Sequence, residues 1–560
     1  MNNAHWCHNC LHTAPSKAQV LTLLFLLPAL SNVFLTIFLL VFFFLLYHNY
    51  IFRSFPKLHQ TPSQFKRMPP KRSTSRGRSR SRSKPSSPAA SPKAARKPDM
   101  TAEEAYHIDI PCRFTPEKDP WRGDNEFNGP WGALGIMIFS HVIIYYFFVC
   151  LSLFEGTLIY PGHAMLKGEP MSQVFLGYLG KHASLTCKSL FTFWAFLLLE
   201  YVLTLVCPAI YVKGLPLPSE NGARLTYKCN AVSAWYAVLV IAGVLHYTGV
   251  YPLQTLRHEF GHYVTAATVT ADAIAVAVYI VGLRRPIRMT GNFIYDFFLG
   301  SGLNFGLPGN VDVKMFMECR NSWVLLMLLT LSCAAEQYQE LGRITVNMGF
   351  MVFAHLLYVN AVQKGEECII TTWDIYYEKF GWMLAYWNTC GVPFLYCMQS
   401  IYIQTVLKDK EHPKWVIGIM VVALLACYYV WDTINSQKNR FRMYRSGVPM
   451  SIIKRATFPQ LPWRFIEHPR TIKSAKGELF VDGFYRYGRK IHYTVDVAMA
   501  LLWGSSCGFQ SYIPFFYASF FITHLVDRER RDEMRCKDKY GKLWDEYVEL
   551  VPYKFIPGIY

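Results

Sequence analysis

Charge is scarce in this 560-residue chain. Only 17% of its residues are Asp, Glu, Lys or Arg, against about 25% in an ordinary soluble domain, and no acidic residue precedes Asp99. The shortage comes with 52% hydrophobic and 16% aromatic residues and a mean hydropathy of +0.15. Such a profile argues against a set of soluble domains and for a polytopic membrane protein. A disulfide framework is also missing. The 15 cysteines are scattered, and Cys150, Cys427 and Cys507 lie inside apolar runs, where a thiol behaves as a small hydrophobe. The one C-x-x-C, Cys7 to Cys10, has no second pair to complete a zinc site. The net charge of +19 does not mark a nucleic-acid binder either, because twelve of the cations fall between Lys66 and Lys97.

Long apolar runs are what the chain has instead. Stretches of spanning length cover 21–46, 131–154, 190–212, 230–252, 262–283, 343–362, 381–405, 415–431 and 494–526. The last is readable as a hairpin of two shorter helices, and 323–335 is a further short candidate. A span takes about 20 residues, and in hydrocarbon its backbone must satisfy itself, so the expected fold is all-α with about ten transmembrane helices. Residues 1–67 are a hydrophobic N-terminal segment, read either as a signal anchor or as sequence upstream of a start at Met68. The intact mass of the native protein separates the two. Residues 68–126 are a basic Arg/Ser/Pro-rich segment, expected to be disordered and to face the cytosol because its composition cannot bury a core. Weak contact with anionic lipid or nucleic acid, tunable by serine phosphorylation, is the role it suggests, and no other nucleic-acid binding is expected. From residue 127 to 560 the chain reads as one membrane-embedded unit.

Two motifs tempt and then weaken. His258-Glu259-Phe260-Gly261-His262 fits H-E-x-x-H, which on one helix turns two imidazoles toward a zinc ion with the Glu as base, as in an intramembrane protease. No later acidic motif supplies the third protein ligand, so no metal is expected. Gly300 to Gly306, "GSGLNFG", is off by one from a dinucleotide fingerprint and lacks a preceding strand. More informative are polar groups at the ends of apolar runs: Asn292, Tyr295, Asp296 and Asn304; Asp374, Glu378 and Asn388; Tyr485, Arg489, His492, Tyr493 and Asp496. Each is either a satisfied interhelical hydrogen bond or part of a site. After the run that ends at Asn435, "SQKNRFR" sets Lys438 and Arg442 on one helical face. Alone, that face is either a positive-inside anchor or a cradle for a polyanion.

Taken together, "GNFIYDFFLGSGLN…DVKMFMECR", "WDIYYEKFGWMLAYWN…GVPFLYC", "NSQKNRFR", "GRKIHYTVD" and the terminal "RRDEMRCKDKYGKLWDEYVELVPYKFIPGIY" resemble the sterol reductase family over about 127–560. That family includes the Δ14-, Δ7- and C-24(28)-sterol reductases and the lamin B receptor. Glu378-Lys379-Phe380-Gly381, Trp387-Asn388 and the stretch from Leu461 resemble the C-24(28) branch. The resemblance implies a multi-pass endoplasmic-reticulum enzyme of sterol biosynthesis. It would use NADPH to saturate a sterol side-chain C24=C28 bond, with its cofactor pocket in the C-terminal half, about 430–560. It further implies that Lys438, Arg442, Phe480, Tyr485, His492, Tyr493, Asp532, Cys536, Lys539, Tyr540 and Tyr547 contact NADPH. The chain departs from the family at Tyr485, often Trp, at His492, Asn in other branches, and at Asp527, usually His. An electron-rich alkene must be protonated before it accepts hydride. Glu378, Asp374 and Asp296 are the candidate acids, with the phenols of Tyr295 and Tyr547 as alternatives. The rivals are a Δ14- or Δ7-reductase, a zinc protease, and a chromatin-binding receptor without turnover.

Overall fold

The computed structural model describes residues 101–123, 125–159, 165, 166, 169–455, 465–474 and 477–558. The N-terminal hydrophobic segment, the Arg/Ser-rich stretch, the Cys7–Cys10 pair and Leu461 lie outside them. Helices dominate. In chain order the main ones are α1 (Gly129–Leu153), α2 (Met171–His182), α3 (Cys187–Val206), α4 (Ala231–Tyr247), α5 (Phe260–Gly282) and α6 (Phe293–Leu299). There follow α7 (Trp323–Leu341), α8 (Val346–Lys364), the broken helix α9 (Trp382–Leu407), α10 (Lys414–Arg445), α11 (Ile491–Ser505), α12 (Ile513–Tyr540) and α13 (Lys542–Leu550). The sheet content of the described residues is four short antiparallel pairs. The larger ones are β1 (Ile210–Pro216) with β2 (Arg224–Cys229), and β3 (Thr471–Ser474) with β4 (Gly477–Phe480).

Among the described residues six helices are long and apolar enough to cross a membrane: α1, α3, α5, α8, α9 and α10. The expected count of about ten is not reached among these residues, with the run 21–46 lying outside them, and the shorter helices have physical reasons. A hydropathy window sees the apolar run and not where the helix stops. The run 230–252 includes a turn in which Gly249 takes φ 72°, so α4 has only 17 residues. The run 494–526 is divided between α11, with 15 residues, and the apolar first half of α12, which bears out the hairpin reading. The last turns of α7 carry Glu336, Gln337, Gln339 and Glu340.

Local chemistry sets the helix ends. Thr186 accepts a hydrogen bond from the Ser189 N–H to start α3, and Thr345 does the same with Met348 to start α8. Helix α9 widens into π-type turns at Trp387–Gly391 and Ile403–Leu407. The first lies just before Pro393, which has no N–H to donate into the preceding turn. At the centre, α5 buries Ala266, Ala267, Ala271, Ala275 and Ala277 completely, so small side chains let its neighbours approach closely. Helix α10 has 32 residues and is about 48 Å long, well beyond the roughly 30 Å hydrocarbon core. Its C-terminal turns therefore leave the membrane as helix.

Buried ion pairs pin this projecting helix. Lys364 at the end of α8 meets Asp432 on α10 at 2.9 Å, and Arg440 meets Glu367 at 3.4 Å. Arg440 also donates to the carbonyls of Ile452 and Ile453 at 3.0 and 2.6 Å. Nearby, Arg320 binds Glu366 at 2.7 Å.

Candidate active site

The cation face of α10 looks onto the C-terminal elements. Lys438 lies 5.0 Å from the Tyr485 ring centroid, and Tyr485 stands in the single helical turn Gly483–Arg486 that follows β4. Phe441 and Tyr485 sandwich Phe480, at 5.1 and 5.8 Å between ring centroids. His492 and Tyr493 open α11 with their rings 4.3 Å apart, and the His492 Nδ1 is 3.5 Å from the Tyr485 hydroxyl. Asp532 and Cys536 lie one turn apart on α12, Sγ 3.9 Å from Oδ1. Tyr540 packs with Cys536 against the small cluster that holds Tyr547 of α13. Lys539 is exposed, its ammonium 4.8 Å from the Tyr540 centroid. The structure thus brings most of these residues around the C-terminal turns of α10.

Charge is unequally satisfied there. Asp532 is paired with Lys490. Burial would raise its carboxyl, but Lys490 and Lys438 outweigh that and hold it far below the ordinary carboxylate range. Lys438 and Arg442, in contrast, make no salt bridge among the described residues. The half-buried Lys438 and the exposed Arg442, one turn apart and bordered by aromatic rings, are a donor set for a polyanion that also carries planar rings. Arg489 was singled out by position and has a different task. Its guanidinium donates to the carbonyls of Val551 and Pro552 at 2.7 and 3.1 Å, strapping the C-terminal segment against α11.

The candidate acids lie on the loop before α9 and around it, and the structure separates their roles. Asp296 is a backbone clamp, accepting from the Thr290 and Gly291 N–H groups at 2.9 and 3.0 Å and from the Thr290 hydroxyl. The Tyr295 hydroxyl accepts from the Glu126 N–H at 2.7 Å and donates to the Glu126 carbonyl at 3.1 Å; burial pushes its phenol up to about 12. Asp374 is ion-paired with Arg528 at 3.1 Å. Burial opposes its charge, but the guanidinium wins and keeps the carboxyl below its ordinary value. Burial pushes the Tyr547 phenol, too, up to about 12.

Glu378 differs from all of these. It is buried, its carboxylate accepts the Trp373 indole N–H, and it makes no ion pair among the described residues. Burial first, and then the neighbouring Glu126, raise its carboxyl, which favours the protonated form; burial and Asp374 likewise push the Glu318 carboxyl up to about 8. Tyr376 connects this loop to the cradle: burial raises its phenol, while Arg442 and Lys539 pull it back.

Reasoning from sequence missed the residues that hold this loop. Lys314 is fully buried and donates to the Glu378 carbonyl at 2.6 Å; burial depresses its ammonium to about 8. Arg528 holds Asp374, and the Arg535 guanidinium covers the Trp373 ring at 3.6 Å. A lysine inside the otherwise apolar "VKMFM" was the available signal for the first. The near-fingerprint "GSGLNFG" is a close backbone crossing. Gly300 has φ 102°, and a Cβ there would fall 2.6 Å from the Gly381 nitrogen.

The H-E-x-x-H residues do not converge. The helix breaks at Glu259, between His258 and α5. His258 bonds Glu336 at 2.7 Å, His262 bonds the Ser184 carbonyl at 2.7 Å, and Glu259 pairs with Lys188. Among the described residues no group of three or more His, Cys, Asp or Glu is placed to hold a metal ion.

Known proteins resemble this chain over most of its length. The model of the ergosterol biosynthesis ERG4/ERG24 family matches residues 122–560. A Delta(24(24(1)))-sterol reductase, erg4A of Aspergillus fumigatus, is 43% identical over 437 residues, covering 77% of this chain and 92% of that protein. The Delta(24(24(1)))-sterol reductase of Gibberella zeae is 40% identical over 465 residues, 80% and 75% of the two chains. A Delta(14)-sterol reductase of Dictyostelium discoideum is 30% identical over 447 residues, 78% and 92%.

Proposed function

Because the chain belongs to the ergosterol biosynthesis ERG4/ERG24 family, we propose that it is a multi-pass enzyme of the endoplasmic-reticulum membrane that reduces the C24=C28 side-chain double bond of a sterol with NADPH. The observation that carries the choice of bond is the identity of 43% and 40% to two Delta(24(24(1)))-sterol reductases, against 30% to a Delta(14)-sterol reductase.

The donor set fits the cofactor. Lys438 and Arg442 hold its phosphates, an arginine fork and a point charge side by side. The Phe480, Tyr485, His492 and Tyr493 rings offer flat surfaces, and Asp532, Cys536, Lys539, Tyr540 and Tyr547 complete the rim. Bound NADPH supplies hydride. Glu378 supplies the proton. Protonation of C28 of a 24(28)-methylene sterol by the buried carboxyl leaves a tertiary cation at C24, the only centre that then needs the hydride. Trp373 orients the acid by donating to it, Lys314 fixes the loop through the Glu378 carbonyl, and the Asp374–Arg528 pair closes the loop against α12. Burial excludes water from the cation.

Sterol profiling of cells that lack the protein tests this reading. Accumulation of 24(28)-methylene sterols is the expected result. Accumulation of ring-unsaturated intermediates would reassign the chain to Δ14 or Δ7 reduction, and failure of the purified protein to bind NADPH would end the reductase reading. Loss of activity on chelation would instead point to the zinc protease.

A further inference from the structure

A second polar site lies deep in the membrane. His141 and Asp272 stand near the middles of α1 and α5, with Nε2 3.2 Å from Oδ2. The Asp272 Oδ1 accepts the Trp382 indole N–H at 2.8 Å, and the His141 Nδ1 donates to the Met137 carbonyl at 2.8 Å. The His141 and Asp272 side chains are nevertheless 33% and 43% accessible. A carboxylate has about four acceptor positions, and only two of those on Asp272 are used. An ionisable pair that is half-open at bilayer depth is costly unless a polar group of a ligand meets it.

Its depth identifies that group. Glu126, just before α1, pairs with Arg531 and Arg535, and Arg288, just after α5, lies against Tyr377. The start of α1 and the end of α5 are thus level with the Glu378 loop. His141 is twelve residues into α1 and Asp272 ten residues before the end of α5, so the pair lies about 15–18 Å deeper at 1.5 Å per residue. A sterol is about as long as one leaflet is thick, roughly 15 Å of hydrocarbon. A sterol reduced on its side chain must bring that end to Glu378, which carries its ring hydroxyl down into the bilayer, where no water can meet it.

We propose that Asp272, oriented by His141 and Trp382, accepts the hydrogen bond of the sterol 3β-hydroxyl at a site open sideways to the bilayer. The rings lie along the outward stripe of α5, where Val276 and Ile280 are exposed between Asp272 and the cytosolic end. This inference rests on the side-chain reductase reading.

The full-length protein in phospholipid vesicles, with NADPH, is given a 24(28)-methylene 3β-hydroxysterol or its 3-deoxy analogue. Removing the hydroxyl raises KM ten- to hundredfold, about the range of a charge-assisted hydrogen bond. Asp272→Leu raises KM for the hydroxysterol by a similar factor and makes little difference to the 3-deoxy sterol, the non-additivity of a direct contact. Equal KM for both sterols in the wild-type protein, or equal losses on both in Asp272→Leu, overturns the anchor and leaves the reductase standing. The wild-type comparison decides alone if the variant does not fold. No NADPH-dependent turnover of either sterol removes the reductase reading itself.

Discussion

Two charged regions meet where α10 projects beyond the apolar bundle, and they treat charge in opposite ways. In the segment 366–378, Glu366 is paired with Arg320, Glu367 with Arg440 and Arg455, and Asp374 with Arg528. On the neighbouring face of α10, Lys438 and Arg442 make no ion pair among the described residues. Arg440 and Arg442 are two residues apart on one helix, yet the first is 0% exposed and ion-paired with Glu367 while the second is exposed. Pairing in the first region fixes the fold; openness in the second leaves room for an anion. Glu378 is the exception within the paired segment, a buried carboxyl whose partner is an indole and not a cation, so burial raises its pKa with no ion pair to oppose it.

Three substitutions and two conditions separate these roles. Glu378→Gln is expected to lower kcat by about 10²–10⁴, the usual worth of a general acid, with cofactor binding retained; single-turnover kinetics with the wild type as reference reads it. In the wild type kcat should fall as pH rises through the raised pKa of this carboxyl, because the protonated form is the active one, and the glutamine variant should lose that limb. Arg440→Ala leaves Glu367 with only Arg455 and should cost about 3–5 kcal/mol of stability, read as a large drop in thermal midpoint in detergent. Arg442→Ala should raise the NADPH KM about ten- to hundredfold, the loss of a charged contact worth ~1.5–3 kcal/mol, with the thermal midpoint close to wild type. A matching loss of stability would erase the distinction between the two arginines. Raising salt from 0.05 to about 0.5 M should weaken NADPH binding several-fold through screening of the exposed cradle, with much less effect on the buried pairs.

Most of the helical layout was legible because apolar runs report length, and "SQKNRFR" pointed to the Lys438 and Arg442 face of α10. Helix ends were less legible. Nothing in composition marks Gly249 as the end of α4, or shows that α10 continues through "NSQKNRFR" to Arg445. The roles of the acids were not legible at all. Asp296, Asp374 and Glu378 share a chemistry, and only their partners divide them into a clamp, an ion pair and a proton store. Lys314 and Arg528 stand 64 and 154 residues from Glu378 and Asp374, so no local pattern announces them, whereas Asp296 and Glu378 bond to Thr290, Gly291 and Trp373 within six residues.

The length of α10 has a mechanical consequence. Arg442 stands 28 residues from the first turn of an unbroken rod, so a tilt of about 10° at that turn would swing it sideways by about 7 Å, more than the reach of a hydrogen bond. Membranes of different thickness favour different tilts. The Lys364–Asp432 and Arg440–Glu367 contacts then act as bearings that keep a lever aimed while the lipid around it changes.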